Sequence, residues 1–384
     1  MTKAPVRTVV LSAHAGGQQW LRTLEAMALT GRVEIRSCHG FDDRTYRKPR
    51  SLAGRALLRL RIYVLYPLWC CWFLLFARRH YDCILAVTSP FYLPAIACAL
   101  GRRPVVTLQN DIYPEALVLS GLLRRGSWPE RGLRALCARA ARHSAAAVFI
   151  SDAHRAHMAT CGGGNPLACV IPVGATGAPF ADHPPQPAGE VAVLYCGTMG
   201  LMHDPGTVLA MLSASGLPSG SVLRFHASGA LWAGFARDLR QHHGALLDSG
   251  RLVIGEPLDD VAWAERMRSC QVGLVLQSAG AEAVVFPSKA FSILVAGQAM
   301  LAVAGPASEL SRLITAHDCG WAVVPGDAAG LHAALVQALD PQVLARKRTN
   351  AFALGHQRFT VEAQGAVWAD LLESSAHAST DHRP

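Results

Sequence analysis

Short apolar runs alternate with helix-length patterns through both halves of this chain, and that alternation narrows the fold to parallel sheets wound with helices. Candidate strands in the first half are Arg7 to Ser12, Cys83 to Thr88, Val105 to Gln109, Ala146 to Ser151 and Cys169 to Pro172. The texture then changes. Pro179 to Glu190, PFADHPPQPAGE, carries no periodicity and reads as a linker. A second set of strands follows at Val191 to Cys196, Leu223 to Ala227, Leu252 to Ile254, Val272 to Gln277, Met300 to Ala304 and Trp321 to Val324. The expected fold class is α/β, with two Rossmann-like domains whose parallel sheets face a cleft. Residues 1–180 form the first domain, 181–190 the linker and 191–350 the second domain. Residues 351–372 are expected to form a helix that crosses back to the first domain, and 373–384 a polar, disordered tail.

A chain of 384 residues, 51% hydrophobic and 16% charged, buries a large core, which excludes disordered and fibrous classes. Its 36 Lys+Arg against 27 Asp+Glu give a formal charge of +9, which predicts contact with the phosphates of nucleic acid, anionic lipid or a nucleotide. Charge alone does not choose among them. The 11 cysteines lack metal-ligand spacing and read as small buried hydrophobes in a reducing cytosol. Near the start, Val9-Val10-Leu11 is too brief for the apolar core of a signal peptide. The expected location is therefore cytoplasmic.

One segment strains that expectation. Ile62 to Ala77, IYVLYPLWCCWFLLFA, is uncharged and rich in aromatics, and it forms the centre of a candidate membrane-associating segment at 55–79. Its 16 residues fall short of the roughly 20 that span a bilayer, and Pro67 is expected to kink it. Seven basic residues from Arg44 to Arg61 precede it, which suits a helix lying among the headgroups of an anionic leaflet. The plainer alternative is a buried core helix.

Several turns at strand ends hold residues suited to phosphate. The first strand runs through His14 into Gly16 and Gly17 ahead of a helical stretch, a position where backbone N–H groups bind anions and where glycine also serves simply for tightness. In the second half Val193-Leu194-Tyr195-Cys196 leads into Gly197-Thr198-Met199-Gly200 and then His203. Two glycines bracketing a hydroxyl suit a diphosphate, with a tight turn as the alternative. Farther on, Phe286-Pro287-Ser288-Lys289 opens a helical run. A cation there opposes the helix dipole unless an anion sits beside it, so Lys289 predicts a phosphate; a solvated surface lysine is the alternative.

Asp111 to Glu115, DIYPE, follows the strand Val105 to Gln109. Its two carboxylates are expected to face the cleft, where one orients or deprotonates an acceptor hydroxyl. The alternative for Asp111 is a helix cap. No Ser-His-Asp triad, metal cluster or glycosidase carboxylate pair stands out. Outside the membrane-like segment no basic stripe with interleaved aromatics occurs, so no nucleic acid is expected.

Together these segments resemble glycosyltransferase family 4, which has the GT-B fold, and in particular the bacterial exopolysaccharide and O-antigen transferases of the colanic-acid type. Asp111-Ile112-Tyr113-Pro114-Glu115-Ala116 looks like their D-(L/I)-W-P-(E/D)-S stretch, and Tyr195-Cys196-Gly197-Thr198-Met199-Gly200 like their Y-x-G-x-x-G turn. Pro287 to Ala299 resembles P-S-K-x-x-E-Y-x-A-x-G-x-P, and Gly320 to Asp327 resembles G-x-x-V-x-P-G-D. The family's Glu in P-S-K-x-x-E is Ser292 here, a neutral side chain that bonds a ribose hydroxyl more weakly, and the Pro is Ala299. Glu282 and Glu309 are the nearby carboxylates that would substitute.

The resemblance implies a hexosyltransferase, retaining and metal-independent, with a nucleotide sugar as donor substrate and no cofactor. Donor and phosphate contacts would come from Gly16, Gly17, Gly197, Thr198, Gly200, His203, Ser288, Lys289 and Ser292. His14, Asp111 and Glu115 would face the acceptor, and Asp111 and Lys289 would carry the catalysis. The expected partners are the nucleotide sugar, a polyprenyl-diphosphate-linked saccharide and the anionic inner face of a bacterial plasma membrane, in surface-polysaccharide biosynthesis. Two rivals stand beside this reading: a nucleotide-sugar epimerase that needs no acceptor, and a degenerate partner protein without turnover.

Overall fold

The computed structural model describes residues 4–14, 17–41, 51–76, 81–182, 189–282 and 284–378. The chain divides into two compact units, one of residues 1–174 with 361–384 and the other of residues 175–360.

The first unit holds β1 (Val6–His14), α1 (Gly17–Leu29), β2 (Val33–Phe41), α2 (Leu52–Leu60), α3 (Tyr66–Phe76), β3 (Cys83–Val87), α4 (Leu93–Leu100), β4 (Val105–Gln109), α5 (Glu115–Leu119), α6 (Trp128–His143), β5 (Ala146–Phe149), α7 (Asp152–Met158) and β6 (Ala168–Val170). Its six parallel strands run in the order β2-β1-β3-β4-β5-β6. The interior strands β3, β4 and β5 are buried at every position, as the apolar run Cys83-Ile84-Leu85-Ala86-Val87 and the mostly apolar run Val105-Val106-Thr107-Leu108 lead one to expect. β2 pairs only with β1 and lies at the sheet edge. Its Glu34, Arg36 and Ser37 are exposed, and that mixed composition is why no apolar run announces it.

α2 and α3 join through a π-helical turn, Arg61–Leu65, into one helix from Leu52 to Phe76. Pro67 does not break it. Proline has no N–H for the carbonyl four residues back, and the carbonyl of Tyr63 instead accepts the hydroxyl of Tyr92. Ile62, Tyr66, Cys70, Phe73 and Leu74 are buried against the sheet, and Tyr66 fixes the helix by accepting a bond from Ser12 N at 2.9 Å and donating to the Cys38 carbonyl. The opposite side, with Leu57, Leu68, Trp72 and Phe76, is exposed. Arg44 to Arg50, the first part of the polybasic approach, and Ala77 to Arg79 lie outside the described residues.

The second unit holds β7 (Val191–Thr198), α8 (Gly206–Ala214), β8 (Ser221–Ser228), α9 (Trp232–His242), α10 (Gly244–Asp248), β9 (Leu252–Gly255), α11 (Asp260–Ser269), β10 (Val272–Leu276), α12 (Lys289–Val295), β11 (Ala299–Val303), α13 (Glu309–His317), β12 (Gly320–Val323), α14 (Ala328–Ala338) and α15 (Pro341–Arg358). Six parallel strands in the order β12-β11-β10-β7-β8-β9 repeat the architecture of the first unit. The order reverses at β7, which places the turn after β7 at a topological switch point.

α16 (Val361–Ala378) groups with the first unit and packs along α1. Trp368 is buried edge-on to Trp20, with ring centroids 5.7 Å apart. A Cβ at Gly365 would stand 2.7 Å from the Ala26 Cβ, so only glycine lets the two helices approach this closely. Arg32 ties the end of the contact, reaching Asp370 at 2.5 Å and Glu373 Oε2 through Nε at 3.0 Å.

Candidate functional site

In the second unit the apolar run of β7 ends in Cys196-Gly197-Thr198, and exposure rises along it. Gly197 has φ of 117°, a backbone region where side chains are strained. Met199 N donates to the Ser228 carbonyl at 2.6 Å and Leu231 N donates to the Met199 carbonyl at 3.1 Å. This lays the β7 turn against the β8 turn, where a Cβ at Gly229 would come within 2.5 Å of the Met199 carbonyl oxygen. Asp204 accepts from Thr207 Oγ1 at 2.5 Å, and Thr207 Oγ1 in turn accepts from Gly326 N at 2.7 Å. The Pro325-Gly326 turn is thereby anchored beside α8, and Asp327 caps α14.

Lys289, the first residue of α12, turns its amine back to this turn. Nζ donates to the Thr198 carbonyl at 3.3 Å, lies 3.5 Å from His203 Nε2 and stands 3.7 Å over the ring of Tyr195. Tyr195 is fully buried, and its hydroxyl donates to the same Thr198 carbonyl at 3.0 Å. His203 Nδ1 lies 3.0 Å from Gly200 N and 3.1 Å from Gly200 O, so either tautomer finds a backbone partner. Among the described residues no carboxylate pairs with Lys289. Burial brings its amine down to about 7, with nearby Cys196 pulling the other way. Burial and the adjacent lysine bring His203 down to about 4, so it is neutral at pH 7. A poorly solvated amine without a counterion is chemically suited to receive an anion.

The remaining sequence candidates of this unit divide. Ser288 is exposed beside Lys289, whereas Ser292 is buried one turn later in α12. Of the two carboxylates named as substitutes, Glu309 begins α13 and Glu282 fills the space beside Gly305, where a Cβ would come within 2.2 Å of its Oε1. Tyr195 is the residue that sequence reasoning passed over. In sequence it is one apolar strand residue among several, and its only signal is the aromatic position in Y-x-G-x-x-G.

In the first unit β4 delivers Asp111 two residues beyond its carboxyl end. Burial by the surrounding protein raises its carboxyl to about 6, although part of its side chain stays exposed. Tyr113 packs on Phe91, with centroids 5.1 Å apart. Glu115 is placed differently from Asp111. It is buried, pairs with Arg134 and lies 2.8 Å from His157 Nε2. Burial alone would raise its carboxyl, but the bonds from His157, backbone and Arg134 prevail and hold it at about 2. Glu115, His157 and Cys161 bring their donor atoms within 4.8 Å of one another. Arg134 Nη1, 3.1 Å from Cys161 Sγ, supplies positive charge in their midst. β1 ends at His14 and α1 begins at Gly17, while Gly16 lies outside the described residues.

No protein-family model matches the chain. Among curated proteins it is similar to a probable glycosyltransferase, WbjE, of Pseudomonas aeruginosa, at 27% identity over 319 residues that cover 76% of this chain and 74% of that protein. Among solved structures it is similar to HepE of Anabaena in complex with UDP-glucose, with TM-score 0.69 and 18% identity over 96% of this chain and 100% of that one. It is also similar to WaaG, a glycosyltransferase involved in lipopolysaccharide biosynthesis, with TM-score 0.64 and 15% identity over 96% and 99% of the two chains.

Proposed function

We propose, from the GT-B glycosyltransferase fold that this chain has, that it moves a sugar from a nucleotide-sugar donor to an acceptor hydroxyl. The observation that carries this reading is the half-buried amine of Lys289, held by Tyr195, Thr198 and His203 with no carboxylate among the described residues to neutralise it. A donor diphosphate fits beside it, and the charge that develops on the leaving nucleotide falls to the lysine and the Gly197–Gly200 turn. Such a site carries the leaving-group charge without a divalent metal. The UDP-glucose complex of HepE supports a donor of that class for this chain. Retention of anomeric configuration is part of the proposal and rests on the family 4 resemblance.

Asp111 is the residue assigned to the acceptor. A carboxyl near 6 is ionised at neutral pH and basic enough to take or orient a hydroxyl proton. The acceptor proposed is a polyprenyl-diphosphate-linked saccharide of surface-polysaccharide assembly at the inner face of the plasma membrane. The helix Leu52–Phe76 supports it: among the described residues it is the one long and apolar enough to cross a membrane, and 33% of its apolar window is buried. With one side fixed to its own sheet, the helix presents Leu57, Leu68, Trp72 and Phe76 outward, which suits lying in the headgroup layer of an anionic leaflet. Its location would then be peripheral and cytoplasmic. Epimerisation needs no such surface, and it disfavours that rival.

The test is calorimetric titration of the wild type and Lys289→Met with UDP, GDP and ADP. Binding of one of these to the wild type, weakened at least tenfold in Lys289→Met, supports the assignment. Equal binding by both proteins, or by neither, overturns it.

A further inference from the structure

The stretch between α5 and α6 leaves large apolar side chains in solvent. Leu122 is 77% and Trp128 81% exposed. Their exposure is built in. Leu122 N and Leu123 N both donate to the Leu117 carbonyl, at 2.9 and 3.1 Å, Gly121 and Gly126 take positive φ, and Ser127 caps α6. Arg124, Arg125 and Arg131 are exposed around them, and among the described residues none pairs with a carboxylate. The one acid from Leu119 to Arg131, Glu130, is buried and bound to Arg134.

Topology sets this stretch on the same sheet face as the apolar helix. The crossovers β2 to β3, β3 to β4 and β4 to β5 step along the sheet in one direction, so α3, α4 and α6 lie on the same face of it, with α4 packed against both others. α6 begins at the carboxyl end of the strands, the end that carries Asp111.

We infer that Leu122, Trp128 and the arginines Arg124, Arg125 and Arg131 form a second lipid contact of this unit, whose partner is an anionic bilayer. The inference rests on the membrane reading above and extends it. A tryptophan and a leucine flanked by unpaired arginines match the chemistry of the headgroup boundary, where apolar side chains enter the acyl margin and guanidinium groups meet lipid phosphate. Two contacts, one along α2–α3 and one at the start of α6, fix the tilt of the unit as one contact does not. They hold the carboxyl end of the sheet, and Asp111 with it, near the plane where a lipid-linked acceptor presents its sugar.

The experiment is co-sedimentation of the full chain with vesicles of phosphatidylglycerol and phosphatidylethanolamine, and with phosphatidylcholine vesicles, at physiological ionic strength. Leu122→Ser/Trp128→Ser is expected to lower partition into the anionic vesicles at least tenfold. Arg124→Glu/Arg125→Glu is expected to do the same while leaving the weak phosphatidylcholine binding unchanged. Both pairs are exposed, and unchanged thermal melting shows that each variant folds. Wild-type partition by the loop variants, with loss only in Trp72→Ser/Phe76→Ser, overturns the inference and leaves the membrane reading standing. Failure of the wild type to bind any vesicle overturns both. A change in oligomeric mass with unchanged vesicle binding assigns the surface to a second copy and overturns it as well.

Discussion

The Lys289 ammonium stands 3.7 Å over the ring of Tyr195, and both side chains converge on the carbonyl of Thr198. The ring offers a diffuse negative face in place of a carboxylate, which stabilises the cation and leaves its other side open to the phosphate proposed above. Tyr195→Leu is expected to weaken nucleoside diphosphate binding about tenfold, and Tyr195→Phe, which keeps the ring, to retain most of it. Titration of the two variants separates the ring from the hydroxyl. Equal losses would show that the ring is not the holding element.

The pH dependence follows from two groups. Lys289 is a cation below about 7, so donor affinity is expected to be full in mild acid and to fall as pH rises through 7. Asp111 must be ionised to act as a base, so activity is expected to rise as pH rises through about 6. Donor turnover per unit of free enzyme then peaks between about 6 and about 7. The pH profile of kcat/KM checks this, and Asp111→Asn is expected to lower kcat about 10²- to 10⁴-fold and remove the acidic limb.

Glu115 gives a stability signature instead. Its carboxyl lies at about 2 in the folded protein against an ordinary value of 4.5, so the stability it contributes is present above about 4.5 and is lost as pH falls toward 2. Glu115→Gln is expected to cost about 3 kcal/mol at neutral pH, because it removes a buried partner from Arg134 and His157. It is also expected to flatten the acid limb. Urea melts of both proteins between pH 3 and 7 measure the difference.

The contact of α16 with α1 is testable in the same way. Trp368→Ala empties a buried site against Trp20 and is expected to cost about 3–5 kcal/mol, read as a lower urea midpoint.

Much of this was legible in the sequence wherever burial was complete. Interior strands such as Val105–Gln109 and Val272–Leu276 are buried throughout and mostly apolar, and their limits could be read to within a residue. β2 was not legible, because an edge strand with Glu34 and Arg36 facing solvent carries no apolar run. The expected kink at Pro67 did not follow, since the carbonyl that proline frees is taken by Tyr92, a partner 25 residues beyond it in the chain and invisible to local reading. For the site, Lys289, His203 and Thr198 were picked out by type and spacing and are brought together by the fold. Tyr195 was hidden because a buried aromatic in a strand looks like core. Asp111 and Glu115 lie in one short motif, yet one stays partly exposed while the other is locked to Arg134, a difference that depends on helix α6 and not on the motif.

Donor use is tested most directly by a screen of nucleotide sugars with purified protein and bacterial membrane lipid extract, measuring nucleotide release and transfer of sugar to lipid. Release and transfer from one donor by the wild type, reduced about 10²- to 10³-fold in Lys289→Ala, is the expected result. Turnover of no donor by the wild type, or equal turnover by Lys289→Ala, would contradict it.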